Sequence, residues 1–163
     1  MSETIFNEKG KVAVQCLFGV MVETKSLSVS QNPYKADVTD LIDVHCLDNG
    51  KEVWTDHATG RLVQVGDTFS NIPLTERSYC REQRLKASEL RERAVRLIER
   101  MRPDFKEKRP TLHPLEDNRQ CKCWYFRWDD FSTPVSESEM PPFIQVALWA
   151  DGTLASFTDT MSR

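Results

Sequence analysis

Residues 38–65 read VTDLIDVHCLDNGKEVWTDHATGRLVQV, and this stretch decides the fold. From Val38 to Leu47 apolar residues recur at period two, with Val38, Ile42, Val44 and Cys46 on one parity. Such alternation marks a strand with one covered face. His45 falls on the opposite parity and is expected to face solvent. Asp48-Asn49-Gly50-Lys51 contains an Asn-Gly step, whose residues accept the positive φ of a tight hairpin turn. Glu52-Val53-Trp54-Thr55 makes the return strand, Ala58-Thr59-Gly60-Arg61 turns the chain again, and Leu62-Val63-Gln64-Val65 closes a third strand. The reading is an antiparallel meander.

Upstream, Lys11 to Thr24 alternates through Val12, Val14, Cys16, Phe18, Val20 and Val22, so a first strand is expected there. Ser26-Leu27-Ser28-Val29-Ser30 alternates again and continues it, until Gln31-Asn32-Pro33-Tyr34 breaks the pattern.

Downstream the period changes. Leu90, Ala94, Leu97, Ile98, Met101 and Phe105 form a stripe at 3.6-residue spacing, which predicts a helix with one face on a sheet. Thr75 is its candidate N-cap and Arg102 its approximate end, because Pro103 is excluded from a helix interior. Strands then return. Cys121 to Trp128 puts Trp124, Phe126 and Trp128 on one face and Cys121, Cys123, Tyr125 and Arg127 on the other. Phe143 to Trp149 and Leu154 to Thr160 form a last hairpin around Asp151-Gly152. Gly50 to Asp56 and Gly152 to Asp159 share a turn glycine, a short strand, an aromatic and Thr-Asp, the trace of a degenerate repeat or of convergent hairpin chemistry.

The composition sets bounds. The chain has 163 residues, 39% apolar and 29% charged, with a net charge of −3. That suits one domain spanning 1–163, or two half-units, 1–70 rich in strands and 71–163 with the helix and further strands. The mild charge gives no overall attraction to nucleic acid or to an anionic membrane, and no apolar run reaches the roughly 18 residues of a membrane span. Met1-Ser2-Glu3-Thr4 lacks the basic-then-apolar pattern of an export signal, so a cytoplasmic location is expected. Cys16, Cys46, Cys80, Cys121 and Cys123 are too sparse for a disulfide scaffold and read as free thiols.

Asp48-Asn49-Gly50, Val53-Trp54-Thr55-Asp56 and Thr59-Gly60-Arg61-Leu62-Val63 together resemble the hairpin of PepSY-type domains, small α+β modules of the protease-propeptide and YpeB-like kind. The helix followed by Tyr125-Phe126-Arg127-Trp128 and the Asp151-Gly152 hairpin is similar to a second such unit. The resemblance implies α+β layering and a regulatory, protein-binding role.

Residue chemistry offers few sites. Cys121-x-Cys123 has no second close pair to complete a tetrahedral zinc site, and it lacks the helix-start context that activates a redox pair. Asp129-Asp130 are adjacent on a strand end and point apart, whereas acid–base catalysis needs carboxylates facing each other across a cleft. Asp56-His57 and His45 have no serine in a nucleophile-elbow context. No phosphate-cradling glycine loop is present. Thr75 to Arg109 holds 12 Lys or Arg against seven Asp or Glu, a local +5. Such a ridge reads as a solvated helix face with pairs such as Glu92–Arg96, or as a phosphate-binding surface.

The expected fold is therefore α+β: mainly antiparallel twisted sheet, in one piece or two, with one long helix, Thr75–Arg102, packed across a face in PepSY- or cystatin-like layering. Three functions follow. The first is a non-enzymatic binding or regulatory module that meets a protein partner or another copy through an edge strand or the surface around Tyr125 and Arg127. The second is a small-ligand binder or enzyme with a pocket under the Trp124, Phe126 and Trp128 face. The third is nucleic-acid contact through Arg91, Arg93, Arg96 and Arg100. None of them calls for a cofactor or metal.

Overall fold

The computed structural model describes residues 24–35, 37–47, 51–67, 85–119, 123–132, 134–137 and 139–161. The chain groups into two compact units, Met1–Asp67 with Val135–Met140, and Thr68–Pro134 with Pro141–Arg163.

In the first unit β1 (Thr24–Gln31), β2 (Leu41–Leu47), β3 (Lys51–Asp56) and β4 (Leu62–Asp67) pair antiparallel in chain order. This is the meander expected from residues 38–65. Ser26 to Ser30 is a strand as the alternation required. Asn49-Gly50 and residues 11–23 lie outside the described residues. The β3–β4 turn shows why its sequence works. Asp56 Oδ1 accepts the Thr59 amide at 2.8 Å and the Thr59 hydroxyl at 2.9 Å, while Gly60 takes φ 68°. A carboxylate that closes its own turn and a glycine in the left-handed region shape the loop locally.

Ile42 is buried at 1% as expected, but from Asp43 to Leu47 the inward face of β2 is the reverse of the expectation. His45 is 2% exposed and Asp43 6%, while Val44 and Cys46 are only half-buried and Val38 precedes the strand in an exposed turn. The cause lies in the partner strand. Asp43 pairs with Thr55 and His45 with Val53, and Val53 in turn pairs with Val65. Directly opposed residues share a face, so the buried Val53, Thr55 and Val65 carry Asp43, His45 and Leu47 inward with them. β2 has apolar residues on both parities, and its neighbours choose between them.

The second unit holds α1 (Ala87–Met101), α2 (Phe105–Lys108), a 3₁₀ turn (Arg109–Thr111), and β5 (His113–Arg119), β6 (Cys123–Asp129), β7 (Phe143–Trp149) and β8 (Leu154–Asp159). These four strands also form an antiparallel meander in chain order. The helix is shorter than expected. It begins at Ala87, because Lys86 is extended at φ −73°, ψ 160° and the Leu85 amide bonds instead to Ala150 O at 3.5 Å. The candidate cap Thr75 lies outside the described residues. The helix end agrees: Arg102 leaves helical geometry at φ −138°, ψ 87°, as a residue before proline must. Phe105 does not extend the stripe but opens α2, where it meets Trp128 edge-on at 5.2 Å.

Leu90, Ala94 and Ile98 of α1 are fully buried, as are Phe126, Ile144, Val146 and Leu148 of the sheet. The likeness between Gly50–Asp56 and Gly152–Asp159 falls on β3 and β8.

Candidate functional site

Cross-strand register sorts β6 into two faces. Phe126 opposes Val146, which opposes Phe157, and Trp128 opposes Ile144; with Trp124 these face α1. Trp124 and Phe126 stack at 6.4 Å with rings 10° apart, and Phe126 and Trp128 are buried. The aromatic face is thus helix-packed core, and the Trp124 indole N–H is buried with no hydrogen-bond partner among the described residues.

Tyr125 and Arg127 lie on the other face. Tyr125 rests against Cys123, Ala147, Trp149 and Ala155. Arg127 Nε donates to Asp129 Oδ1 at 2.5 Å, and its guanidinium carbon sits 3.9 Å from the Phe143 ring centroid. One carboxylate and one aromatic face therefore hold a rigid cation. Leu115 of β5 opposes Arg127 and is 46% exposed; Phe131, just past β6, is 62% exposed and meets His113 at 5.8 Å. Leu115 thus borders an oriented arginine, and Phe131 lies beside His113 at the end of the same strand pair.

The four helix arginines do not act together. Arg91 reaches the sheet and grips Glu116 of β5 through both carboxylate oxygens, with Nη2 to Oε2 at 2.8 Å. Glu116 is held below the ordinary carboxylate range chiefly by the hydrogen bond from Arg91. Arg93, Arg96 and Arg100 share the exposed side of α1, with Arg96 3.7 Å from Glu92 and Arg93 beside Gly152. A shallow depression of about 250 Å³ is lined by Arg91, Glu92, Val95, Arg96, Glu99 and Arg109. Its charges are mixed, with three arginines against two glutamates, so it does not select one sign of ligand.

The remaining candidates resolve into structural roles. Cys121 lies outside the described residues. Cys123 is 1% exposed in an apolar cluster. Asp129 is committed to Arg127, while Asp130 accepts the Ser132 amide at 2.9 Å and has its carboxyl pulled down by Ser132. Asp56 belongs to its turn. No three metal-ligating side chains converge among the described residues.

The sequence reading missed a polar cluster in the first unit. His57 Nδ1 lies 2.7 Å from Asp43 Oδ1, and His45 Nε2 lies 3.3 Å from Thr55 Oγ1. The signal available was the odd-parity run Asp43, His45 in β2 facing Thr55 in β3, read once the register is known. His45 and Thr55 are 2% and 3% exposed, which closes them to any substrate from solvent. The cluster pairs polar groups of β2 with Thr55 and His57.

No protein-family model matches the sequence, and no curated protein does either. Among solved structures, the Bacillus megaterium YpeB C-terminal domain shares the fold, with a TM-score of 0.56 and 10% identity over 100% of this chain and 67% of that one. The fold is PepSY-like, as the hairpin residues implied. No helix among the described residues is long and apolar enough to cross a membrane.

Proposed function

We propose that the chain is a protein-binding module, and that its partner docks at the β5–β6 strand pair, on Leu115 and Phe131 near Arg127. The observation that supports this is the exposure of Leu115 (46%), opposite the preorganised Arg127, and of Phe131 (62%), at the end of the same strand pair. Aromatic and aliphatic anchors next to an arginine make the energetic centres of protein interfaces, and a cation already held in place loses little freedom on binding. The partner supplies an apolar side chain for Leu115 and Phe131 and an acceptor for the outer guanidinium nitrogens of Arg127.

The test is affinity capture from the native host with the wild-type chain and with Leu115→Ser/Phe131→Ser, after circular dichroism has established that both fold. A stoichiometric protein recovered by the first and lost by the second supports the reading. Equal recovery by both, or recovery by neither, overturns it.

The shared exposed side of Arg93, Arg96 and Arg100 favours a second reading, contact with a nucleic-acid backbone. Replacing all three with serine then abolishes salt-dependent retention on heparin; retention that is absent or unchanged removes this reading.

A further inference from the structure

Sheet proteins guard their edges, and two strands here treat the problem differently. β5 carries Pro114, which has no amide to offer, and the charged Glu116 and Asp117. Glu116 is strapped to Arg91 as well. These are the ordinary protections of an edge. From Ser26 to Gln31, β1 has none of them.

Ser26-Leu27-Ser28-Val29-Ser30-Gln31 contains no charge and no proline, and all six residues are exposed. Among the described residues β1 pairs with β2 alone. Its ladder with β2 is regular from Ser26 to Gln31, with an irregularity only between Thr24 and Ser26. Leu27 and Val29 are 38% and 53% exposed on one face. An even, uncharged strand of this kind is a template for another strand.

The order of its residues selects the strand it takes. Ser26-Leu27-Ser28-Val29-Ser30 reads the same in both directions by chemical class. An antiparallel copy placed about a twofold axis at Ser28 sets Ser26 against Ser30, Leu27 against Val29 and Ser28 against itself. One face then carries the apolar side chains of both copies and the other their hydroxyls, both favourable cross-strand pairings. Twofold interfaces bring a surface patch against itself, and this edge is complementary to itself. An axis moved one residue to Val29 sets Leu27 opposite Gln31, and one moved to Leu27 sets Val29 opposite Lys25. Either shift opposes an apolar residue to a polar one, so the axis at Ser28 is preferred.

We propose that the chain forms a twofold homodimer by antiparallel pairing of β1 with β1 of a second copy, centred on Ser28. The surface lies on the first unit and is independent of the Arg127 face.

Sedimentation equilibrium of the full chain tests this over roughly 10–500 μM, a range suited to interfaces below standard size. The wild type shifts from monomer to dimer as concentration rises. Ser28→Lys and Ser28→Glu each place like charges face to face at the axis and remain monomeric throughout, while an equimolar mixture of the two dimerises. Circular dichroism and urea midpoints matching wild type establish that each variant folds, as the exposure of Ser28 predicts. A wild type that stays monomeric, a Ser28→Lys chain that still dimerises, or a mixture that fails to associate each overturns the proposal.

Discussion

Arg102 Nη1 stands 2.9 Å from both carboxylate oxygens of Asp159, and the two side chains are 3% and 7% exposed. Arg102 closes α1 and Asp159 ends β8, so the pair ties the helix end to the last strand. The remaining polar capacity is used nearby. Arg102 Nε donates to Asp104 at 3.1 Å, and the Met161 amide donates to Asp159 at 3.0 Å. Deleting one partner strands a buried charge, a loss of about 3–5 kcal/mol. Asp159→Asn and Arg102→Met are each expected to fall in that range by urea denaturation. The double variant Arg102→Met/Asp159→Leu recovers most of the loss, because no charge is left unpaired. Single losses that simply add would show that the two residues are not coupled.

A second arginine–carboxylate fork makes the opposite prediction. Arg91 and Glu116 also pair through a carboxylate, but their side chains are 41% and 35% exposed. Solvent screens such a pair, and Glu116→Gln is expected to cost less than about 1 kcal/mol. The hydrogen bond from Arg91 holds the Glu116 carboxyl low in the folded chain. Its contribution is therefore present above the unfolded pKa and disappears as pH falls through the folded value. Wild-type and Glu116→Gln urea midpoints converge in acid; a gap that widens there would contradict this.

Gly152 sits in the β7–β8 turn at φ 89°, where an added Cβ would lie 2.7 Å from Leu85 Cδ1 and 3.1 Å from Arg93 Nη1. Gly152→Ala meets both backbone strain and a collision, and a loss of about 2 kcal/mol is expected. Gly152→Asn separates the two causes, since asparagine tolerates positive φ but still carries the Cβ. If asparagine restores wild-type stability in thermal unfolding, the packing against Leu85 is not limiting.

The parts of this fold written in local chemistry were legible. Asp56, Thr59 and Gly60 announced a turn, Pro103 announced the end of α1, and Phe126 and Trp128 announced a covered face. The parts set by distant partners were not. Arg102 reads as one more basic residue on a charged helix until Asp159, 57 positions later, comes beside it. The inward parity of β2 depended on which strand lay opposite, and both parities offered apolar residues. The start of α1 was misplaced because the Leu85 amide is drawn to Ala150 instead of joining the helix. At the candidate site the residues Tyr125 and Arg127 were legible as a face. Their flanking Leu115 and Phe131 were not, since exposure is a property of the assembled sheet.

His45 provides a pH test of the reversed strand face. Its ring is 2% exposed, with Nε2 beside Thr55 Oγ1 at 3.3 Å. Burial lowers its proton affinity, and the nearby Asp43 charge opposes this only in part. The unfolded chain, with a histidine pKa of about 6.5, then binds a proton more readily than the folded chain. Stability is full above that value and falls as pH drops toward the lowered folded pKa, below which the loss is constant. His45→Gln keeps an amide that can bond to Thr55 but cannot titrate. It is expected to be less stable than wild type near about pH 7.5, by about 1–3 kcal/mol for an imperfectly satisfied buried group. Because only the wild type loses stability through this site in acid, the gap between their urea midpoints narrows as pH falls below about 6.5. Two curves that run parallel across that range would mean that His45 titrates as a solvent-exposed ring, and the inward face of β2 would have to be reassigned.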